Sequence, residues 1–184
     1  MSFVQERKLF VKNKLKKINI KNSLNKSNKK KILIFLLKFF GVFIILEAII
    51  NLIDLSLLTN FITKIVANFF NLPYLNSTIF VNSSSFIVTN SCTGLVSLAI
   101  LIAITLPLKR MQLKKRALVV AIGALLLLTL NIPRIGLVIY SGLIGFDANL
   151  VHEVTWYLMS VIILLIWFFG IKFIQNEEDF SRLI

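Results

Sequence analysis

Residues 90–97, Asn-Ser-Cys-Thr-Gly-Leu-Val-Ser, mark the point where a polar segment gives way to an apolar run that continues to Leu108. Long apolar runs are typical of membrane helices, and Pro107 is expected to end this one. We therefore predict that residues 92–108 cross a membrane as a helix. Asn90 or Ser91 would cap the helix, which puts Cys92 in its first turn.

The composition is that of a membrane protein. Of 184 residues 57% are hydrophobic, and the formal net charge is +13. Most Lys and Arg residues flank apolar runs, as membrane topology signals do, so no nucleic-acid partner is expected. The single cysteine excludes an internal disulfide and a Cys-rich zinc site. The chain has no HExxH, CxxC or glycine-rich nucleotide motif, so we predict no metal and no cofactor.

Three further apolar runs are long enough to cross a membrane as helices. They cover residues 32–53, 117–140 and 151–174. Together with residues 92–108 they predict an all-α integral membrane protein with about four transmembrane helices.

Two segments between the first and second crossings have other patterns. In residues 55–72, pairs of apolar residues alternate with polar ones, which predicts an amphipathic helix in the membrane plane, with Asp54 as its N-cap. Pro73 is expected to end this helix. Residues 76–90 predict a short β-hairpin, with strands at 77–81 and 86–89 and Asn-Ser-Ser-Ser as the turn.

The basic residues predict the orientation. Eleven of the 21 Lys and Arg lie in residues 1–31 and five in residues 109–116. The positive-inside rule assigns both segments to the cytoplasm, so an even number of crossings separates them, which argues against residues 55–72 as a span. We expect a multi-pass protein of the cell membrane with both termini in the cytoplasm. It has a basic tail (1–31), one membrane-embedded domain (32–175) and a C-terminal tail (176–184).

This topology brings three unusual polar residues to one depth. Cys92 lies at the outer end of the second crossing, and His152, the only histidine, lies at the outer start of the fourth. Arg134 lies roughly 26 Å along the third crossing, near the same outer surface. A guanidinium in a membrane helix is rare and commonly functional. We predict that the three residues form a site on the outer face.

The chemistry of the three residues is that of a cysteine nucleophile. A thiolate is favoured at the start of a helix, and neutral His152 could accept the thiol proton and return it to a leaving amine. Arg134 could stabilise an oxyanion or hold a carboxylate, and Asn131, one turn earlier, is expected to orient it. Each residue also has a structural interpretation: Cys92 as packing, His152 as a surface residue, and Arg134 as a side chain that snorkels to the interface.

The ordered set Cys92-Thr-Gly-Leu, Asn131-x-x-Arg134 and His152 before the last crossing resembles the exosortase/archaeosortase family, in particular its compact archaeal branch. The resemblance covers roughly residues 75–172. It implies a membrane cysteine peptidase or transpeptidase with Cys92 as nucleophile, Arg134 as oxyanion or positioning residue and His152 as base. Its substrates would be secreted proteins with a C-terminal motif, a transmembrane helix and a basic cluster, which are passed to a lipid or another acceptor.

Two other functions remain open from the sequence. In a non-enzymatic transport or assembly subunit, Cys92 would be packing, and Glu47 and Arg134 would form a structural ion pair. A lipid-modifying acyltransferase would use the same thiol but take its acyl group from a lipid donor.

Overall fold

The computed structural model describes residues 29–82, 84–108 and 111–175. The predicted tails fall outside these ranges, except that the first helix begins at Lys29, within the predicted N-terminal tail. The elements in chain order are α1 (Lys29–Leu52), α2 (Ser56–Phe70), β1 (Tyr74–Leu75), β2 (Thr78–Val81), β3 (Ser84–Ile87), a 3₁₀ turn (Asn90–Thr93), α3 (Leu95–Thr105), α4 (Leu113–Leu143) and α5 (Ala148–Gln175).

Three helices of the described chain, α1, α4 and α5, are long and apolar enough to cross a membrane. They correspond to the predicted crossings at 32–53, 117–140 and 151–174, and each begins three or four residues earlier than predicted. At the starts of α1 and α4 the additional residues include lysines, which form helices readily, so the helix extends beyond the apolar run.

The predicted second crossing is not confirmed. Helix α3 has 11 residues, about 16 Å, whereas the apolar core of a membrane is about 30 Å thick. The prediction that Cys92 lies in the first turn of an α-helix is wrong, because residues 90–93 form a 3₁₀ turn. Gly94, in the left-handed conformation with φ of 85°, separates this turn from α3.

Helix α2 is confirmed. Its 15 residues, Ser56–Phe70, are a slightly shorter range than the predicted 55–72. Leu55 occupies the N-cap position, so the prediction for Asp54 is wrong, but the Asp54 carboxylate accepts a hydrogen bond from the Ser56 amide at 2.9 Å. Asn71, in the left-handed conformation, ends the helix. The in-plane orientation of α2 stays a prediction.

The predicted hairpin is part of a three-stranded antiparallel sheet with the order β1-β2-β3. Strand β3 begins at Ser84, so part of the predicted turn is strand, and Ser84 pairs with Val81. The Val88 amide extends the pairing by donating to the Ser77 carbonyl at 2.8 Å. The chain then turns directly towards Cys92.

The sheet is held against helices α2 and α4 by an apolar core. Ile79 and Val81 of β2 are fully buried there, together with residues of both helices: Ile62, Val66, Ala67, Ile135 and Ile139. A second core, of Leu101, Leu127, Met159 and Ile163, joins α3 to α4 and α5. These two cores fix the segment that carries Cys92 between the sheet and the long helices.

Candidate active site

The backbone of Cys92 is fixed from two sides. Within the chain, the Cys92 amide donates to the Thr89 carbonyl at 2.9 Å, which closes the 3₁₀ turn. From α4, the Asn131 side-chain amide donates to the Cys92 carbonyl oxygen. A Cβ at Gly94 would lie 3.2 Å from the Cβ and Cγ of Asn131, so the turn passes very close to this side chain. The position of Cys92 therefore depends on Asn131.

The thiol of Cys92 is half-buried, and Thr89 is its hydrogen-bond partner among the described residues. Its Sγ lies 3.6 Å from the Thr89 hydroxyl, a distance at which either atom can donate. Thr89 was not among the predicted site residues, because the predicted β-hairpin ended in a strand at residues 86–89 and the helix began only at Cys92. The 3₁₀ turn that follows Thr89 brings the two side chains together.

Arg134 is buried, with 6% of its surface exposed, and is held by three neighbours. Its Nη1 donates to the Asn131 Oδ1 at 3.1 Å, and its Nε donates to the Thr155 hydroxyl at 3.4 Å. The Trp156 ring centroid lies 4.8 Å from Cζ, a cation–π distance. The prediction that Asn131 orients Arg134 is confirmed. Nη2 is buried and has no hydrogen-bond partner within the described ranges, so this nitrogen can still donate to a bound anion or oxyanion.

His152 faces Trp156. Its Nε2 accepts a hydrogen bond from the indole Nε1 at 3.0 Å, so in the neutral ring the proton is on Nδ1. Helix α5 begins at Ala148, and the Asp147 carboxylate accepts the amide of Asn149 at 2.9 Å. His152 is therefore in the second turn of α5, whereas the predicted crossing, which begins at residue 151, would place it in the first turn. To accept a thiol proton on Nε2, the ring must first separate from Trp156.

The three predicted residues line one cavity of about 200 Å³. Cys92 approaches it from the 3₁₀ turn, Arg134 from α4 and His152 from α5, and strand β3 with the residues after it forms an apolar wall, Phe86, Ile87 and Val88. The structure thus brings together a thiol, an imidazole and a guanidinium from distant parts of the chain. Within the described ranges, no three His, Cys, Asp or Glu side chains gather as metal ligands.

Thr155 and Trp156 are site residues that the sequence interpretation missed. They follow His152 by three and four positions, a spacing that places all three on one face of a helix. Thr155 also donates its hydroxyl to the His152 carbonyl at 2.9 Å. The helical spacing from the only histidine was the signal that could have identified them.

The function of this cavity has to be inferred from its own chemistry. No protein-family model, curated protein or solved structure matches this chain. The described part of the chain is largely helical, with three potential membrane-spanning helices and a small sheet. The cavity lies between β3, the 3₁₀ turn, α4 and α5, and Cys92, Arg134 and His152 line it together with apolar side chains.

Proposed function

We propose that this protein is a membrane cysteine peptidase or transpeptidase of the exosortase/archaeosortase type. It cleaves a C-terminal sorting signal of secreted proteins and transfers the protein to a lipid or another acceptor. The observation that carries the proposal is the cavity where the only cysteine and the only histidine of the chain meet a buried arginine with a free donor nitrogen.

Acylation begins when the Cys92 thiol gives its proton to Nε2 of His152 after the imidazole has left the Trp156 indole. The sulfur attacks the carbonyl carbon of the scissile peptide bond, and the carbonyl oxygen becomes an oxyanion. Arg134 donates a hydrogen bond to this oxyanion through Nη2, the nitrogen that has no hydrogen-bond partner among the described residues. When the C–N bond breaks, His152 protonates the leaving amine, and the substrate remains as a thioester on Cys92.

Deacylation is the reverse sequence with a new nucleophile. His152 takes a proton from the hydroxyl or amine of the acceptor, or from water, and the acceptor atom attacks the thioester carbonyl. The oxyanion again lies against Arg134. When the C–S bond breaks, the product leaves and the sulfur regains its proton from His152. The same residues therefore serve hydrolysis and transfer.

The proposed orientation has the basic end of the molecule in the cytoplasm and the cavity near the outer face. The positive-inside rule supports it, because the starts of α1 and α4 carry Lys residues. This orientation requires the segment between α1 and α4 to return to the cytoplasmic side, although α3 alone is too short to span the membrane. Asn131, which binds the Cys92 carbonyl, lies about 27 Å along α4 from Leu113. This is close to the thickness of the apolar core of a membrane, about 30 Å.

The contacts of Arg134 weigh against a transport or assembly subunit. That interpretation requires a structural ion pair between Arg134 and Glu47. In the described part of the chain, Arg134 contacts Asn131, Thr155 and Trp156, and Glu47 is not among its partners.

The test is co-expression with a secreted candidate substrate that carries a C-terminal motif, a transmembrane helix and a basic tail. We expect wild type to shorten the substrate and Cys92→Ala to leave it intact at equal abundance of the protein. Ser160→Ala is the matched control, because its exposed hydroxyl lies on α5 outside the cavity. Equal processing by wild type and Cys92→Ala would exclude Cys92 as the nucleophile.

A further inference from the structure

A second cavity, of about 440 Å³, lies at the other end of α3 from Cys92. Four residues of α1 line one side, at positions spaced by three and four so that they share one helix face. The segment after α3 and the start of α4 line the other side. The lining residues are Lys38, Gly41, Val42, Ile45, Leu106, Pro107, Leu108 and Arg116.

Both charged residues of this cavity are cations. Lys38 and Arg116 line it together, and no carboxylate is among the described residues that surround it. Two like charges around one cavity repel each other unless an anion lies between them. The nearest acidic residue along α1 is Glu47, about 14 Å further along the helix axis. Among the described residues, the positive charge of this cavity is therefore not balanced.

The described residues supply hydrogen-bond acceptors for only part of the Arg116 guanidinium. Its Nη1 donates to the Leu106 carbonyl at 2.9 Å and its Nη2 to the Leu108 carbonyl, and these bonds fix the chain after α3. Its Nε is buried without a hydrogen-bond partner. Two carbonyl dipoles carry no net charge, so the described residues hold the guanidinium in place beside the cavity without supplying a counter-ion.

We propose that this cavity binds the phosphate of an anionic glycerophospholipid between Lys38 and Arg116. Helices α1 and α4 can both cross a membrane, and Lys38 lies about 14 Å along α1 from Lys29, within reach of the lipid headgroups at the basic end. The apolar lining from Val42 and Ile45 continues along α1 and suits an acyl chain. Basic cavities between membrane helices commonly bind acidic headgroups.

This inference is independent of the proposed enzymatic activity. The cavity is separated from Cys92 by the full length of α3, about 16 Å, so it is not the acceptor site of the transfer reaction. The lipid would instead hold α1 against the segment between α3 and α4. Phe35 of α1 already packs there against the apolar cluster of Leu108, Met111, Val119 and Ile171.

The experiment uses the full chain, purified in detergent and incubated with equal amounts of phosphatidylglycerol and phosphatidylcholine, and bound lipid is counted by native mass spectrometry. We expect wild type to retain phosphatidylglycerol preferentially. Lys38→Gln should lower its occupancy about fivefold, the effect of one basic residue at a lipid surface. Lys172→Gln is the matched control, because this exposed lysine ends α5 outside the cavity and the charge change is the same.

A second variant distinguishes lipid binding in this cavity from non-specific electrostatic attraction of the lipid to the basic protein. A Cβ at Gly41 would meet nothing within 4 Å, so Gly41→Leu fits the fold and extends into the open cavity without altering the charge. We expect this variant to lose the retained phosphatidylglycerol. An equal loss in Lys38→Gln and Lys172→Gln, or full retention in Gly41→Leu, would overturn the proposal. Displacement of the lipid by millimolar inorganic phosphate would identify a free phosphate as the ligand instead.

Discussion

Gly94→Ala should destabilise the site through two separate effects. Gly94 has φ of 85°, a conformation that a side chain makes unfavourable by about 1–2 kcal/mol. The new methyl group would also lie 3.2 Å from the Cβ and Cγ of Asn131, tighter than an ordinary contact. Asn131 holds both the Cys92 carbonyl and the Arg134 guanidinium, so any displacement of its side chain reaches the cavity directly.

The expected loss of stability is the sum of the conformational cost at residue 94 and the cost of the close contact with Asn131. Accommodating an extra methylene in a packed site commonly costs about 1–3 kcal/mol, and the lower end applies because a shift of a few tenths of an ångström relieves the contact. We therefore expect Gly94→Ala to lower the free energy of unfolding by about 2–3 kcal/mol.

Gly145→Ala is the matched control. Gly145 also has a positive φ, 74°, but a Cβ there would meet nothing within 4 Å. It should cost only the conformational term of about 1–2 kcal/mol. The free energies of unfolding can be measured by denaturant titration in detergent, and alkylation of Cys92, the only cysteine, reports the state of the site. Equal destabilisation by the two substitutions, with equal alkylation rates, would refute the role of the Asn131 contact.

Two further changes test individual contacts. Trp156→Phe keeps an aromatic ring beside Arg134 but removes the N–H that binds His152, so the free energy of unfolding should fall by about 1 kcal/mol. Trp156→Leu also removes the cation–π contact with Arg134, so it should lower the free energy of unfolding by about 1 kcal/mol more. A Trp156→Leu variant as stable as Trp156→Phe would contradict this assignment. The pKa of the exposed Asp54 carboxyl lies below its ordinary value of 3.8, because the Ser56 amide donates to it. A lowered folded-state pKa adds stability above pH 3.8, and this stability is lost as the pH falls through the folded-state pKa. Relative to unfolded peptides, the amide hydrogens at the start of α2 should therefore exchange faster with solvent at pH 3 than at pH 5. Asp54→Asn should remove this difference, and an unchanged pH dependence would argue against the Asp54–Ser56 bond.

The long helices and α2 could be predicted from hydropathy and periodicity, because their apolar runs and stripes extend over many residues. The strand pairing could be predicted from the sequence only in part. Ser84 and Ser85 are typical of turns, yet they pair with Val81 and Phe80, because the β3 strand is held by the packing of β2 against α2 and α4. Tertiary contacts of this kind override local preference.

Helix α3 is shorter than the predicted crossing at residues 92–108, and it does not include Cys92. Residues 92–108 are apolar enough to form one helix, and this segment has no proline before Pro107. Gly94 could have indicated a break, but an isolated glycine is tolerated within membrane helices. At its other end α3 stops at Thr105, directly before Leu106 and Pro107, as the proline predicts. Arg116 then binds the Leu106 and Leu108 carbonyls, a contact across the chain that the sequence did not indicate.

The 3₁₀ turn changes the physical account of the candidate nucleophile. In an α-helix beginning at Cys92, the free amides of the first turn would favour a thiolate. Here the first amide of α3, that of Leu95, is directed to the Thr93 hydroxyl at 3.4 Å, and Gly94 separates Cys92 from the helix. The positive charge in the cavity then comes from Arg134 instead of the helix. Because Asn131 joins the Arg134 guanidinium to the Cys92 carbonyl, the cation and the thiol are positioned by one side chain, and the catalytic geometry we propose depends on α4 more than on α3.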